Sequence, residues 1–305
     1  MSRKKSALLQ RIEYAAYCAA AALVRRSSDE SLRRWGTRLG ALSAKLLRRR
    51  DRLALRNLAA AFPERPPAEL RRILDECWRH FGREMLQFVQ LQSFSLDEIA
   101  RRCPFVHEEI LEEGRARGKG VILISAHYGG WEIAGLAITA HVDNVRTVAR
   151  PLDNDLLEED LAKLRSRTGV EVVDRRRAAR VLLRGLSENA VVVLLPDQAV
   201  LPREGILIPF LGRPAWTTDA PAKMAVRHDS TIVFAFCIPD ASGHYLEFEE
   251  PIRVDQLTEA EREPDALTRR INEVISRRIA SRPELWLWMH DRWKGTGESE
   301  AGHGN

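Results

Sequence analysis

The chain has 305 residues, enough to bury one large core or two modest ones, and its 45% apolar content argues against wholesale disorder. A net charge of +5 favours anionic partners, whether nucleic acid, lipid headgroups or phosphorylated substrates. Cys18, Cys77, Cys103 and Cys237 are far apart and lack CxxC or mixed Cys/His spacing, which argues against a disulfide framework or zinc site and points to a reducing compartment.

The first element is an apolar, alanine-rich run, "YAAYCAAAALV", of eleven residues between "MSRKK" and "RRSSDE". A spanning helix needs about 20 apolar residues. The run therefore reads as an uncleaved helix lying on or partly in a membrane, or as an ordinary buried helix. Residues 1–25 are assigned to this membrane-associating helix. Residues 26–117 form a helical region packing on the core. "SDESLRRWGTRLGALSAKLLRRRDRLALRNLAAAF" has apolar residues at helical intervals until Pro63, Pro66 and Pro67 break it. A new helix is predicted from Pro67 through "AELRRILDECWRHFGREMLQFVQL".

From about residue 118 short β-branched runs alternate with helical stretches. "VILISA", "VRTVA", "VEVV", "AVVVLLP" and "STIVFAFCIP" read as buried strands. Between them lie amphipathic segments, one capped by Thr218 or Asp219 with Pro221 in its first turn. "HYLEFEEPI" alternates as an antiparallel edge strand does, and a last helix is expected over 265–282. The predicted fold is thus α/β: a central, mostly parallel sheet flanked by helices, preceded by a helical N-terminal region. The core spans 118–294, and 295–305 form a flexible polar tail.

The chemistry concentrates in "VILISAHYGGWEIAG", residues 121–135. His127 follows a buried strand at its carboxyl end, where open α/β sheets bind ligands. Gly129 and Gly130 allow tight turning and close approach of substrate to backbone N–H groups, which are expected to stabilise an oxyanion. Glu132 opens the next helix, five residues after His127. From there its carboxylate is expected to fold back onto the imidazole Nδ1–H, leaving Nε2 free as a base. There is no GxSxG, P-loop or GxGxxG between strand and helix. A histidine and a carboxylate without a neighbouring Ser or Cys nucleophile point to direct activation of a substrate hydroxyl. A polar residue at a strand end is the plainer alternative for His127.

Six blocks in order carry a family resemblance: "RNLAAAFPE" (56–64), "GVILISAHYGGWEIAG" (120–135), "ARPLDNDLLEEDLAKLRSRTGVEVV" (149–173), "LLPDQAV" (194–200), "GILIPFLGRPAWTT" (205–218) and "SRPELWLWMHDRWK" (281–294). Together they resemble the lysophospholipid acyltransferase superfamily, in its bacterial lipid A biosynthesis (lauroyl/myristoyl) acyltransferase branch, over nearly the whole chain. The resemblance implies transfer of a fatty acyl chain from an acyl thioester to a hydroxyl of a lipid A precursor or related glycolipid. His127 and Glu132 supply its H-x4-D/E pattern, with His127 as general base oriented by Glu132. Arg150, of an R-P-x-x-N motif, is the expected phosphate contact, its plainer role being an ion pair. Asp197 and Gln198 match a further block, where the alternative is a strand cap. Arg213 is a further candidate for phosphate, or a solvated loop arginine. The closing tryptophans and His290 are expected to pack the core, while His107, His141, His228 and His244 lack a partner pattern.

No cofactor or metal is implied. The resemblance implies as partners a membrane glycolipid acceptor, an acyl carrier protein or acyl-CoA donor, and the membrane surface, at the cytoplasmic face of a bacterial inner membrane. Two departures from the branch stand out: the N-terminal apolar run is short, and Gly130 replaces the asparagine common in relatives, a change expected to alter acceptor orientation. The acceptor is then a lipid A precursor or, alternatively, a phosphatidylinositol mannoside, an aminolipid or a glycerolipid. Readings from other classes are a nucleic-acid-binding protein and a catalytically silent membrane scaffold. The arginines are spread over amphipathic helices rather than gathered in a basic run with exposed aromatics, so no specific nucleic acid is expected.

Overall fold

The computed structural model describes residues 6–148, 152–173, 178–241 and 243–296. Five helices come first: α1 (Ala7–Arg25), α2 (Asp29–Leu46), α3 (Arg48–Ala61), α4 (Pro67–Leu91) and α5 (Leu96–Arg102). The core then follows as β1 (Phe105–Val106), α6 (Glu109–Ala116), β2 (Val121–Ile124), α7 (Trp131–His141), β3 (Val145–Val148), α8 (Asp155–Thr168), β4 (Glu171–Val173), α9 (Ala178–Ser187) and β5 (Val191–Leu194). It closes with β6 (Ile206–Phe210), β7 (Arg213–Thr217), α10 (Ala220–His228), β8 (Thr231–Pro239), β9 (His244–Ile252), α11 (Glu259–Arg262) and α12 (Pro264–Ser281).

Proline punctuation predicts α4 well: Pro67 sits at its first turn and the helix ends at Leu91. The long helical stretch before it is two helices, because the chain turns at Leu47 with ψ +48. Ser6, Ser28 and Ser95 cap α1, α2 and α5 by accepting backbone N–H bonds. Asp219 occupies the N-cap of α10, and the Thr218 hydroxyl accepts the Ala220 N–H at 3.3 Å.

Among the described residues, seven strands form one sheet in the order β1-β9-β8-β2-β5-β3-β4, with β6 and β7 as a separate antiparallel hairpin. The strands from β8 to β4 are parallel, and β9 runs antiparallel to β8. The expected edge strand is therefore one place in from the edge, since the two-residue β1 pairs with its outer side. Alternate residues of β2 serve two cores. Ile122 and Ile124 pack with residues of α3, α4, α9, α10 and α12, whereas Val121 and Leu123 pack with α5, α6 and α7. Both faces of the sheet are thus buried, which is why β2, β5 and β8 read as continuous apolar runs rather than alternating ones.

The N-terminal helices pack on this core along α4 and also directly, α1 against α8 and α5 against α7. Glycines at the α2–α4 crossing let the two backbones touch: a Cβ on Gly40 would fall 2.0 Å from the Trp78 carbonyl oxygen. α1 is 19 residues long, and among the described residues no helix is long and apolar enough to cross a membrane. Asn154, the asparagine of the R-P-x-x-N motif, is buried. Its amide donates to the Gln10 carbonyl at 3.0 Å and to Glu13 at 3.1 Å, tying α1 to the start of α8. Arg150 lies outside the described residues, as does the expected tail from residue 297.

Candidate active site

β2 and β5 are parallel neighbours in register, with Ile124 opposite Leu194. His127 lies three residues beyond the first and Asp197 three beyond the second. Equal offsets from a common register bring the two side chains together at the carboxyl end of the sheet. Nδ1 of His127 lies 2.9 Å from Oδ1 of Asp197, and the His127 backbone N–H donates to Oδ2 at 2.9 Å. The Trp286 indole N–H donates to the same Oδ2 at 2.8 Å. The Nδ1 partner is therefore Asp197, not the expected Glu132. Five residues from His127, across the loop and into α7, Glu132 is instead an exposed side chain that accepts the Trp131 indole N–H at 3.2 Å.

Asp197 is completely buried. Burial alone would raise its pKa, but the His127 charge and hydrogen bond and the Trp286 donor hold it below the ordinary carboxylate value. For His127, burial disfavours the charged ring. Asp197, by charge and hydrogen bond, and then Glu132 outweigh that and raise the imidazole pKa. With Nδ1 held by a carboxylate, the neutral ring has Nε2 as its acceptor. This is the orientation a general base requires.

The backbone N–H groups of residues 127–130 are all engaged. Gly129 has φ +57, and a Cβ there would fall 1.9 Å from the Cys237 carbonyl oxygen, so only glycine fits. Its N–H donates to the Leu285 carbonyl at 2.8 Å, and that of Gly130 donates to the Cys237 carbonyl at 3.1 Å. The expected oxyanion donors are therefore spent on holding the loop to β8 and to the closing segment. Leu287 completes the clamp by donating to the His127 carbonyl at 3.0 Å.

Beneath Gly130 lies a buried polar cluster. Glu84 of α4 contacts His244 of β9 at 2.9 Å and His80, one helical turn back, at 3.4 Å. A Cβ on Gly130 would fall 2.7 Å from Glu84 Oε2 and 3.1 Å from both the Cys237 sulfur and His244 Cδ2. The glycine at this position thus has a packing cause. His244, which had no partner in the sequence, pairs with Glu84 directly beneath the loop that carries His127.

His127, Glu132 and Gln198 face one large cavity of about 980 Å³, near the upper end of the roughly 300–1,000 Å³ that small-molecule sites span. Its walls are mainly aliphatic, from Ile138 of α7, Leu161 and Leu164 of α8, Val172 of β4 and Leu182 of α9. Among the described residues, the cations in this wall are Lys223 and Arg227, four residues apart on α10. Lys223 also pairs with Asp219 at 2.7 Å. Nothing in the sequence marked them, because α10 reads as an ordinary amphipathic helix until the cavity is known. Arg213 is elsewhere: it lies on β7 with its guanidinium 4.6 Å from the centre of the Trp293 ring.

The closing segment packs as expected and also organises the site. Trp286, Trp288 and Trp293 are buried, and Arg292 is buried with them. Its guanidinium donates to the Trp216 carbonyl at 2.7 Å and the Thr217 hydroxyl at 2.6 Å, and burial lowers its pKa to about 10. His290 Nε2 accepts the Ala199 N–H at 3.2 Å, fixing the loop that follows Asp197. Asn57, in the first of the six blocks, donates to the carbonyls of Trp288 at 3.0 Å and His290 at 2.9 Å.

Known proteins share this sequence pattern. Over 264 residues the chain is 24% identical to the lipid A biosynthesis lauroyltransferase of Escherichia coli K12, covering 86% of this chain and 84% of that one. It is 25% identical over 252 residues to the lipid A biosynthesis myristoyltransferase of the same organism, covering 83% and 77%. A phosphatidylinositol mannoside acyltransferase of Mycobacterium tuberculosis (strain CDC 1551 / Oshkosh) is 24% identical over 244 residues, covering 78% and 75%. The pattern of the bacterial lipid A biosynthesis acyltransferases matches residues 1–295, and the chain belongs to that family.

Proposed function

We propose that this acyltransferase moves a fatty acyl chain from an acyl thioester, on acyl carrier protein or coenzyme A, to a hydroxyl of a lipid A precursor or related glycolipid. The observation that carries the reading is the Asp197-held His127 at the edge of a large aliphatic cavity. His127 Nε2 takes the proton of the acceptor hydroxyl as its oxygen attacks the thioester carbonyl. Asp197 fixes Nδ1–H and stabilises the imidazolium that forms. Collapse of the tetrahedral intermediate breaks the C–S bond, and the imidazolium returns the proton to the thiolate. The products are an ester and a free thiol, with no acyl-enzyme. Glu132, in the same cavity wall, adds a second negative charge that favours the imidazolium. Lys223 and Arg227, with Arg150, are the cations offered to phosphate on the acceptor or the carrier.

The exposed faces of α1 and α2 support a membrane-facing surface. Leu8, Leu9, Ile12 and Leu23 of α1, and Trp35, Leu39, Leu42 and Leu46 of α2, are exposed. Arg34, Arg38 and Lys45 of α2 and Arg48 and Arg49 at the start of α3 are exposed as well. Apolar side chains rimmed by cations suit the surface of an anionic bilayer, reached by lying on it rather than crossing it.

The test offers purified protein mixed lipid acceptors with each thioester donor and reads the products by mass spectrometry. The expected product is a lipid A precursor or related glycolipid heavier by one acyl group. Acylation of phosphatidylinositol mannosides alone would move the acceptor to the class named for the mycobacterial relative. No acylated product with either donor would defeat the reading.

A further inference from the structure

Gly135 is a glycine without a structural reason. It sits in the middle of α7 at a helical φ, where glycine destabilises the helix relative to alanine. Among the described glycines it alone has neither a positive φ nor a heavy atom within 4 Å of the position its Cβ would take. Gly118, Gly169, Gly212 and Gly295 also have open space, but each has a positive φ. Elsewhere a close neighbour excludes or crowds the side chain, as at Gly40, Gly129 and Gly130.

What Gly135 does have is the cavity. It lines the space that His127 faces, together with Glu132 and Ile138, three residues before and after it on the same face of α7. At about 1.5 Å of rise per residue, it lies about 4.5 Å along the helix from Glu132, with Ile138 as far again. A chain whose carbonyl is at His127 and whose tail runs along this face passes Gly135 before reaching the aliphatic far wall. Gly135 is exposed at the cavity wall, and a Cβ there would enter open space with no protein atom within 4 Å to prevent it.

We propose that Gly135 is a specificity-determining residue, its bare face leaving the room that admits a long acyl chain past the catalytic end of the cavity. The proposal rests on the acyl-transfer reading for its substrate class. Atom placement on α7 and the emptiness beside it carry the rest.

The test compares wild type, Gly135→Ala and Gly135→Leu on thioester donors from octanoyl to palmitoyl. Binding of free fatty acids of the same lengths is followed in parallel by tryptophan fluorescence. Gly135→Leu is expected to lower kcat/KM for palmitoyl at least tenfold relative to octanoyl, and to weaken binding of long fatty acids but not short ones. Gly135→Ala should lie between and, by favouring the helix, keep the fold if leucine perturbs it. If wild type turns over no thioester while the fatty-acid series still shows the length cut-off moving with residue 135, the acyl-transfer reading fails and the length inference stands. An equal effect on all chain lengths, no effect on either series, or no fatty-acid binding by wild type would each overturn it.

Discussion

Asp197 Oδ1 meets His127 Nδ1 at 2.9 Å from 70 residues away in sequence, through a shared strand register rather than a local motif. Asp197→Asn keeps the shape but removes the charge that holds the His127 pKa up. Transfer should fall by about 10²–10⁴-fold, the usual worth of an oriented base. A base works as the neutral imidazole, so wild-type activity should rise with pH through a pKa above the ordinary value of about 6.5. In Asp197→Asn that acid limb should move to lower pH. A pH profile of kcat/KM measures both.

Glu132→Gln separates the two carboxylates. It leaves the Asp197 contact to Nδ1 intact and removes only the weaker of the two charges raising the His127 pKa. The acid limb should again move to lower pH, but less than in Asp197→Asn, and the rate loss should be smaller. A shift larger than that of Asp197→Asn in the same profile would return the orienting role to Glu132.

Glu84 should matter to stability. Glu84→Ala leaves His244 buried without its carboxylate and is expected to cost about 3–5 kcal/mol, read by denaturant unfolding. Burial works to raise the Glu84 pKa, yet His244, His80 and Arg83 more than offset it and hold the group below its ordinary value. A depressed carboxylate contributes stability that is complete above its unfolded pKa and is lost as pH falls through the folded one. Wild type should therefore lose stability on acidification, below a pH of about 4.3, more steeply than Glu84→Ala. Gly130→Asn should also destabilise, because its Cβ would fall 2.7 Å from Glu84 Oε2.

The α2 stripe should govern membrane attachment. Replacing Trp35 and Leu42 by Glu places two acids among exposed apolar and basic residues without entering the core. Co-sedimentation with phosphatidylglycerol vesicles should drop by at least tenfold, about 1.4 kcal/mol, while the melting temperature stays near that of wild type. Attachment to wild-type level would move the membrane face elsewhere.

The strands and α4 were legible because burial and proline leave local marks: continuous β-branched runs for β2, β5 and β8, and Pro67 at the start of α4. His127 and Asp197 were legible as polar residues ending two such runs. Their pairing was not, because it depends on the order of strands in the sheet. Nor was the burial of Glu84 against His244, which α4 and β9 create only by packing across 160 residues of sequence. Gly129 and Gly130 show the opposite case, where a local pattern suggested free N–H donors and tertiary contacts consumed them. Arg213 was marked by its loop position, yet β7 carries it onto Trp293 instead of into the cavity.

Removal of the acceptor's proton is the role proposed for His127. Its most direct measurement is single-turnover acylation of a lipid A precursor by His127→Ala and wild type, with circular dichroism confirming equal folding. A first-order rate lowered by at least about 10²-fold is expected in the variant, with partial recovery when imidazole is added to the space left behind. Turnover at the wild-type rate in a folded His127→Ala protein would contradict it.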